Sequence, residues 1–369
     1  MNLPPRSLAL DVLRGMTVAL MIVVNMSIGD ASYAPLMHAQ WNGLTLTDMV
    51  FPTFLFVSGA SLAWTLARME ADGERAFLVK VARRTALIFL AGYLLYWFPF
   101  FRFGEGGGLE LLPIANTRIP GVLQRIALCH GIAALVLHYG RERWAMRYCI
   151  AVLPAYWWAL TAFGDLSLPG NAVIRLDRWV LGESHMYGAE GIPFDPEGIL
   201  STFPAVANVL GGFFAARLIR DKGSSWEALA RLLLCGMALI LLALTWNAWF
   251  PINKKLWTSS YVLCTVGIDL CVLAMLSWLL DIRLWRHGTA FFCVFGRNPL
   301  VLYLLAEILQ IISWHVQVGG RSLFDWAFQE VYRPFAGPAN GALLFAMTPM
   351  MICWVVGWVM DRRKVYVRF

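Results

Sequence analysis

The chain has 369 residues, of which 59% are hydrophobic and only 14% are charged, and its net charge is +7. Because an ordinary soluble domain carries about 25% charged residues, this composition excludes a soluble globular protein and predicts an integral membrane protein. The apolar segments are continuous and do not alternate with polar residues, so they predict helices and not a β-barrel.

Apolar runs long enough to cross the hydrocarbon core of a bilayer recur along the whole chain. The ten predicted transmembrane helices are 8–28, 49–67, 85–101, 120–139, 145–163, 199–216, 229–249, 258–280, 295–315 and 341–360. We therefore predict an all-α fold, a polytopic helical bundle of about ten transmembrane helices. One transmembrane domain is expected over residues 1–369.

The Lys and Arg residues indicate the orientation of this bundle. With the N-terminus placed inside, well over half of them fall in inside segments, such as 68–84 and 217–231, and few fall outside. This is the positive-inside pattern, and it predicts both termini in the cytoplasm. Membrane topology thus accounts for the excess of Lys and Arg over Asp and Glu. No nucleic-acid partner is therefore expected, and the lipid bilayer is the expected environment.

Three polar residues interrupt the first predicted helix. They are Asp11, Arg14 and Asn25 in "DVLRGMTVALMIVVN". At about 100° per residue, Arg14 and Asn25 lie on nearly the same helix face. Ionisable groups inside a membrane helix are rare and indicate function by default, so this face could line a passage through the bilayer. Alternatively, Asp11 pairs with Arg14 at the interface, and Asn25 hydrogen-bonds a neighbouring helix.

The stretch "MHAQWNGLTLTDMVFPTFLF", residues 37–56, places His38 and Asp48 just before the second predicted helix. An imidazole can accept a proton near neutral pH or form a covalent intermediate, which predicts a candidate active site at the outer surface. Asn25 could orient the imidazole or donate to a developing oxyanion. The alternative is a polar loop in which Asp48 only caps the helix.

Other side chains that could carry chemistry are sparse. Arg125, in "RIPGVLQRIAL", lies inside a predicted span, where a guanidinium needs an anion from the protein or from a ligand. The seven cysteines lie within or at the ends of apolar spans and form no CxxC pair. They are predicted to be packing residues, and no metal site is predicted.

Six stretches, in this order along the chain, resemble the heparan-α-glucosaminide N-acetyltransferase family. They are "SLALDVLRGMTVALMIVVN", "HAQWNGLTLTDMVFPTFLFVSGASLAW", "RIPGVLQRIAL", "FDPEGILSTFPAV", "PINKKLWTSSYVL" and "GRNPLVLYLLAEIL". The second and fifth stretches are the long and specific ones. The chain is most similar to a compact bacterial branch of this family.

The resemblance implies an acyltransferase that moves an acetyl group across a membrane. The donor would be cytosolic acetyl-CoA, and the acceptor would be the amine of glucosamine, or of a glucosamine-terminated sugar, on the outer side. In a bacterium this implies the inner membrane, with the active site facing the periplasm. Family analogy also implies a homodimer as one oligomeric state, and acetyl-CoA as co-substrate without a metal.

The resemblance also implies roles for individual residues. Carried over by motif, the catalytic residues are His38 and its companion Asn25. The residues expected to bind the sugar are Trp41, Asn42, Asp48, Asn253 and Lys254. The basic cytoplasmic face suits the phosphates of CoA, and the polar face of the first helix could hold its pantetheine arm. The residues expected to contact CoA are Arg14, Arg84, Arg125, Arg297 and Asn298.

Two other classes of function stay open from the sequence. An amino-sugar transporter for glucosamine or N-acetylglucosamine would also use a membrane-crossing polar face and an outer sugar pocket. A structural protein of the cell envelope would need neither. His38 discriminates among them, because an acetyltransferase needs its imidazole, a transporter could tolerate glutamine there, and a scaffold needs only packing.

Overall fold

The computed structural model describes residues 7–103 and 108–367 and is mostly helical. The helices are α1 (Leu8–Asn25), α2 (Leu46–Glu70), α3 (Glu74–Trp97), α4 (Val122–Ala162), α5 (Ala172–Leu181), α6 (Ile199–Lys222), α7 (Trp226–Trp246), α8 (Ser259–Ser277), α9 (Thr289–Arg297), α10 (Pro299–His315), α11 (Leu323–Trp326), α12 (Arg333–Ala336) and α13 (Pro338–Arg362). Two π-helical turns, Trp278–Ile282 and Ala327–Tyr332, follow α8 and α11. The short antiparallel pairs are β1 (Phe101–Phe103) with β2 (Leu109–Leu111), and β3 (Gln317–Val318) with β4 (Arg321–Ser322).

The prediction of an all-α, polytopic membrane protein is confirmed. Among the described residues, seven helices are long and apolar enough to cross a membrane, and the pair α9–α10, bent by 85°, could form an eighth crossing. Helix α4 covers two predicted spans, and its backbone breaks between them at Arg141, where φ is 55°. The count of ten crossings and the cytoplasmic position of both termini stay predictions.

Helix α2 lies at the centre of the bundle, against α1, α4, α6 and α8. Two glycines bring its backbone against that of α6. A Cβ atom on Gly59 would collide with the carbonyl of Val209, and one on Gly212 would collide with the carbonyl of Phe56. Small residues allow membrane helices to approach this closely, and here they hold α2, whose first turn carries Asp48.

The segment 164–198, between α4 and α6, folds over the end of the bundle that is predicted to lie outside. Ile174, Phe194 and Phe250 are fully buried in an apolar cluster that joins this segment to α4 and to the loop after α7. Because apolar burial holds the segment in place, it is an ordered cover. It meets the loops before α2 and before α8 at the same end of the bundle.

Candidate active site

Asp48, in the first turn of α2, both caps that helix and holds His38. Its Oδ2 accepts hydrogen bonds from the Thr45 N–H at 3.1 Å, the Thr45 hydroxyl at 2.9 Å and the Ala39 N–H at 3.1 Å. Its Oδ1 lies 2.6 Å from His38 Nδ1. The Thr45 hydroxyl accepts from the Asp48 N–H in return, which completes a capping box. One carboxylate oxygen therefore caps the helix and the other contacts His38, while an active site at this point stays a prediction.

The contact with Asp48 determines which nitrogen of His38 is available for chemistry. The Asp48 carboxylate is 1% exposed and accepts hydrogen bonds, so Nδ1 of His38 carries the proton and donates it to Oδ1. In the neutral ring, Nε2 then carries the lone pair, which lies within 3.4 Å of Lys254 Nζ, and this nitrogen can act as a base or a nucleophile. The His38 side chain is 50% exposed, so a substrate can reach it.

Lys254, in the loop before α8, is the cation of this site. Its Nζ lies 3.2 Å from His38 Nδ1, 3.4 Å from His38 Nε2 and 3.8 Å from Asp48 Oδ1. Burial lowers the pKa of Lys254 below its ordinary value, while the negative charges of Asp48 and Glu197 act in the opposite direction. The ammonium group is therefore placed where it can stabilise negative charge that develops beside His38.

Asn253 shapes the turn that presents Lys254. Its Oδ1 accepts from the Leu256 N–H at 2.8 Å, and its own N–H donates to Thr258 Oγ1 at 3.0 Å. Its Nδ2 donates to Asn42 Oδ1 at 3.1 Å, and this hydrogen bond joins the turn to the loop before α2, which contains His38. The structure thus brings the predicted pocket residues of two distant segments together, while their contact with a sugar stays a prediction.

Trp41 lies at the junction with the covering segment 164–198. Its Nε1 donates to the Leu166 carbonyl at 2.9 Å, and its ring centre is 6.0 Å from that of Phe194. Lys255 Nζ lies 5.9 Å from the centre of the indole ring. These contacts hold the indole as part of the wall around the His38 loop.

Asn25, the last residue of α1, is held by α10. Its Nδ2 donates to Glu307 Oε1 at 2.6 Å, and its carbonyl accepts from Gln310 Nε2 at 2.7 Å. Tyr303 also hydrogen-bonds the Glu307 carboxylate. In the described part of the chain, no hydrogen bond joins Asn25 to His38, so their catalytic partnership stays a prediction. The alternative interpretation, a hydrogen bond to a neighbouring helix, is what the structure shows.

Glu307 is a candidate that our sequence analysis does not single out. It lies in "VLYLLAEILQ", and the signal that identifies it is the rarity of a carboxylate inside an apolar membrane helix. Its contacts with Asn25 and Tyr303 connect α10 to the end of α1. Glu307 therefore helps to set the position of a proposed catalytic side chain.

Replacing Glu307 with leucine should leave the Asn25 amide and the Tyr303 hydroxyl without their acceptor. We expect the free energy of unfolding to fall by about 1–3 kcal/mol, and by less in Glu307→Gln, which keeps an acceptor. Thermal unfolding of the purified protein in detergent measures this difference. Glu330→Leu, at an exposed glutamate, is the matched control. Equal stability of the two leucine variants would contradict the expected role.

The acidic groups of the covering segment are used largely in internal contacts. Arg118 binds Asp195 through two nitrogens, at 2.7 and 2.8 Å, and binds Glu197 at 2.6 Å. Burial acts to lower the pKa of Arg118, but Tyr96 and the carboxylates of Asp195 and Glu197 together hold it above its ordinary value. Asp177 caps α6 by accepting from the Ile199 N–H at 2.9 Å. These contacts give the acidic residues a structural role, and attraction of a cationic substrate stays a prediction.

Three of the predicted CoA contacts lie at the end of the bundle where α1 begins. Arg14 pairs with Asp11 at 2.7 Å, as the interface alternative anticipated. Arg297, at the end of α9, pairs with the Asp361 carboxylate of α13. Asn298, at the bend before α10, donates to the Val365 carbonyl at 3.0 Å. The structure therefore places these three residues at the end opposite to His38.

The other two predicted CoA contacts lie elsewhere. The positive charge of Arg84, on α3, acts on His130 of α4 through an electrostatic interaction. Arg125 is 1% exposed, donates to the Gly198 carbonyl at 3.1 Å and lies 4.8 Å from the centre of the Trp257 ring. A carbonyl dipole and an aromatic face are therefore its direct neighbours, Asp177 interacts with it electrostatically, and pairing with an anion of a ligand stays a prediction. The five residues do not form one cluster, and their contact with CoA stays a prediction.

The family model described as "Heparan-alpha-glucosaminide N-acetyltransferase, catalytic" matches residues 6–244 of the chain. The range contains Asn25, His38 and Asp48 and ends before Lys254 and Glu307. In the described part of the chain, no group of three or more His, Cys, Asp or Glu residues could hold a metal ion.

Two curated proteins are similar over most of the chain. The heparan-alpha-glucosaminide N-acetyltransferase of Homo sapiens is 30% identical over 366 residues, which cover 84% of this chain and 54% of that protein. The protein of the same name from Mus musculus is 28% identical over 358 residues, covering 81% of this chain and 53% of that protein. The chain thus spans about half the length of the curated relatives it matches.

Proposed function

Because the chain belongs to the heparan-alpha-glucosaminide N-acetyltransferase family, we propose that it is an enzyme that transfers an acetyl group to the amine of glucosamine or of a glucosamine-terminated sugar. The donor is acetyl-CoA on the cytoplasmic side, and the acceptor is on the outer side of a bacterial inner membrane. The observation that carries this proposal is the exposed His38 imidazole, held between the Asp48 carboxylate and the Lys254 ammonium.

The geometry supports a role for His38 as general base. With its proton on Nδ1 and donated to Asp48, His38 can take a proton from the sugar ammonium at Nε2. The neutral amine then attacks the thioester carbonyl, the C–S bond breaks, and the thiolate of CoA leaves with the proton that the new amide nitrogen gives up. The imidazolium afterwards returns its proton to water. The Asp48 carboxylate stabilises the imidazolium that forms, and the Lys254 ammonium stabilises the carbonyl oxygen as it becomes negative.

The same geometry also supports a covalent route. His38 Nε2 can attack the thioester carbonyl, the C–S bond breaks as the thiolate of CoA leaves, and His38 then carries the acetyl group as an acyl-imidazole. The neutral amine attacks that carbonyl, the C–N bond to His38 breaks, and the released imidazole takes the proton that the new amide nitrogen loses. In both routes the acetyl group meets the amine at the outer end of the bundle.

The proposal is tested with purified protein in nanodiscs and acetyl-CoA labelled in the acetyl group. We expect labelled N-acetylglucosamine and free CoA only when glucosamine is present. N-acetylglucosamine, which has no free amine, is the control acceptor and should release no CoA above background. If a panel of amino sugars gave no product, the acetyltransferase would be excluded, and flux of glucosamine into proteoliposomes would then favour the transporter.

The lowered pKa of Lys254 predicts how activity changes at alkaline pH. A lysine with a lowered pKa loses its proton at a lower pH than a free lysine does. If its ammonium stabilises the oxyanion, kcat/KM should fall as pH rises through that lowered pKa. In Lys254→Arg, whose guanidinium stays charged, the fall should move to higher pH.

The pH profile of kcat/KM in wild type and in Lys254→Arg measures this shift. Lys255→Arg is the control, because Lys255 pairs with Glu190 at 2.6 Å and should leave the profile in place. An alkaline limb that does not move in Lys254→Arg would show that another group controls it.

A further inference from the structure

Glu197, at the end of the covering segment 164–198, is a buried carboxylate with only one of its two oxygens paired. Its side chain is 10% exposed, and its Oε2 accepts from Arg118 at 2.6 Å. In the described part of the chain, no hydrogen bond or ion pair reaches its Oε1. A buried carboxylate oxygen without a donor is costly, because burial removes the water that would otherwise pair with it. Glu197 can therefore accept a hydrogen bond from a donor that the chain itself does not supply.

The charges around Glu197 do not balance. Arg118 shares one positive charge between Glu197 and Asp195, which it binds at 2.7 and 2.8 Å. Its guanidinium packs on the rings of Tyr96 and Tyr187, 4.9 and 4.7 Å from their centres, and donates to the Tyr96 hydroxyl at 3.1 Å. One fixed cation thus serves two carboxylates. The group carries a net negative charge, which favours a further cation beside it.

The backbone next to Glu197 is connected to the turn that carries Lys254. The Gly198 carbonyl accepts from Arg125 at 3.1 Å, and the Arg125 guanidinium lies 4.8 Å from the centre of the Trp257 ring. The Trp257 N–H in turn donates to the Lys254 carbonyl at 3.0 Å. The Glu197 carboxylate also interacts electrostatically with the Lys254 ammonium. Glu197 therefore belongs to the same end of the bundle as the candidate active site, close to its cation.

Two further helices contribute polar groups around Glu197. Its negative charge acts electrostatically on Tyr96 of α3 and on Tyr303 of α10. Tyr303 hydrogen-bonds the Glu307 carboxylate, which also acts on Tyr96. Carboxylates and phenol groups from three separate elements are thus brought together beside Lys254. Such groups can pair with the hydroxyls and the ammonium of an amino sugar.

We infer that Glu197 binds the ammonium group of the amino-sugar acceptor and positions it for His38, an inference that rests on the proposed function. An ammonium has three N–H donors, so one can pair with Glu197 Oε1 while another gives its proton to His38 Nε2. A sugar with a neutral hydroxyl in place of the ammonium lacks the charge that Glu197 attracts. Glu197 therefore determines which sugars bind, whereas His38 takes part in the transfer.

Equilibrium binding of sugars to the purified full chain in detergent, below neutral pH where glucosamine is protonated, tests this role. In Glu197→Gln the Kd of glucosamine should rise by about 10–100-fold, the range that a hydrogen bond to a charged group contributes. The Kd of N-acetylglucosamine, which has the same ring without the ammonium, should stay close to the wild-type value. Glu197→Asp keeps the charge and should bind glucosamine more tightly than Glu197→Gln does.

A matched control and a second measurement accompany these variants. Glu183 lies in the same segment and pairs with Arg178 at 3.0 Å, but its side chain is 60% exposed. Glu183→Gln should therefore bind both sugars like the wild type. The wild type itself should bind glucosamine at least about tenfold more tightly than glucose, which has a hydroxyl in place of the ammonium.

The possible outcomes separate this role of Glu197 from the proposed function. If Glu197→Gln weakens binding of both sugars equally, or of neither, the inference is overturned, while acetylation of glucosamine by the wild type keeps the proposed function in place. If the wild type binds glucose as tightly as glucosamine, the inference is overturned without any variant. If the wild type acetylates no amino sugar, the proposed function fails and the inference fails with it. Selective loss of glucosamine binding in Glu197→Gln, restored in part by Glu197→Asp, supports the inference.

Discussion

Replacing His38 with alanine is expected to lower kcat for glucosamine acetylation by about 10²–10⁴-fold, the range that a general base contributes. The imidazole is the group that can accept the proton of the sugar ammonium beside Asp48, and alanine removes it while the carboxylate keeps its contacts with Ala39, Thr45 and Lys254. Because the side chain is half exposed, the loss should appear in turnover and not in thermal stability. Release of CoA and formation of labelled N-acetylglucosamine measure the effect.

Two further variants sharpen this result. His315→Ala, at an exposed histidine near the end of α10, is the matched control and should keep wild-type activity. His38→Gln keeps polarity but has no basic nitrogen, so it should be as inactive as His38→Ala. If His38→Ala retained more than a tenth of wild-type turnover, the assignment of His38 as base or nucleophile would be wrong. CoA binding should persist in both His38 variants.

Asparagine in place of Asp48 is expected to lower turnover by about 10²-fold and also to destabilise the protein. The carboxylate accepts from Ala39 and Thr45 through one oxygen and from His38 through the other. An asparagine must present its amide donors to one of these two groups of donors. If they face His38, the imidazole loses the acceptor that orients it and stabilises its positive charge. If they face the cap, the free energy of unfolding should fall by about 1–3 kcal/mol.

Thr45→Ala separates the two functions of Asp48. This substitution removes the hydroxyl of the capping box, which should cost about 1 kcal/mol of stability, but it leaves the contact between Asp48 and His38 in place. Its turnover should stay within a few-fold of wild type at a temperature where both proteins are folded. Equal turnover in Asp48→Asn and Thr45→Ala would mean that Asp48 acts on the helix alone. Initial rates and thermal unfolding in detergent distinguish the cases.

The sequence predicts those parts of the fold that one physical constraint controls, namely the hydrogen bonding of the backbone inside the bilayer. A backbone in hydrocarbon must satisfy its own hydrogen bonds, so long apolar runs predicted helices, and the structure places helices over them. The connections between runs were less accessible. The backbone of α4 breaks at Arg141, between two predicted spans, and the bend before Asn298 divides a third predicted span, because local backbone geometry leaves little trace in hydropathy.

Part of the candidate site could be predicted from the sequence. His38 and Asp48 lie ten residues apart, so a local loop and a capping box explain their contact. Lys254 was predicted as a site residue only because the chain resembles the acetyltransferase family. A lysine in a loop has no periodicity that would place it 3.2 Å from His38. Asn25 was expected beside His38, whereas its side chain pairs with Glu307, a residue 282 positions away.

The sequence by itself determined that the chain is a helical membrane protein of this family, because composition, apolar length and motif order are properties of the chain alone. It also placed an aspartate in the first turn of α2 and a histidine in the loop before that helix. Only the tertiary structure decided that Lys254 lies beside this pair and that α10 holds Asn25. The physical reason is that each of these features depends on how helices distant in sequence pack, and packing brings together side chains that no local pattern relates.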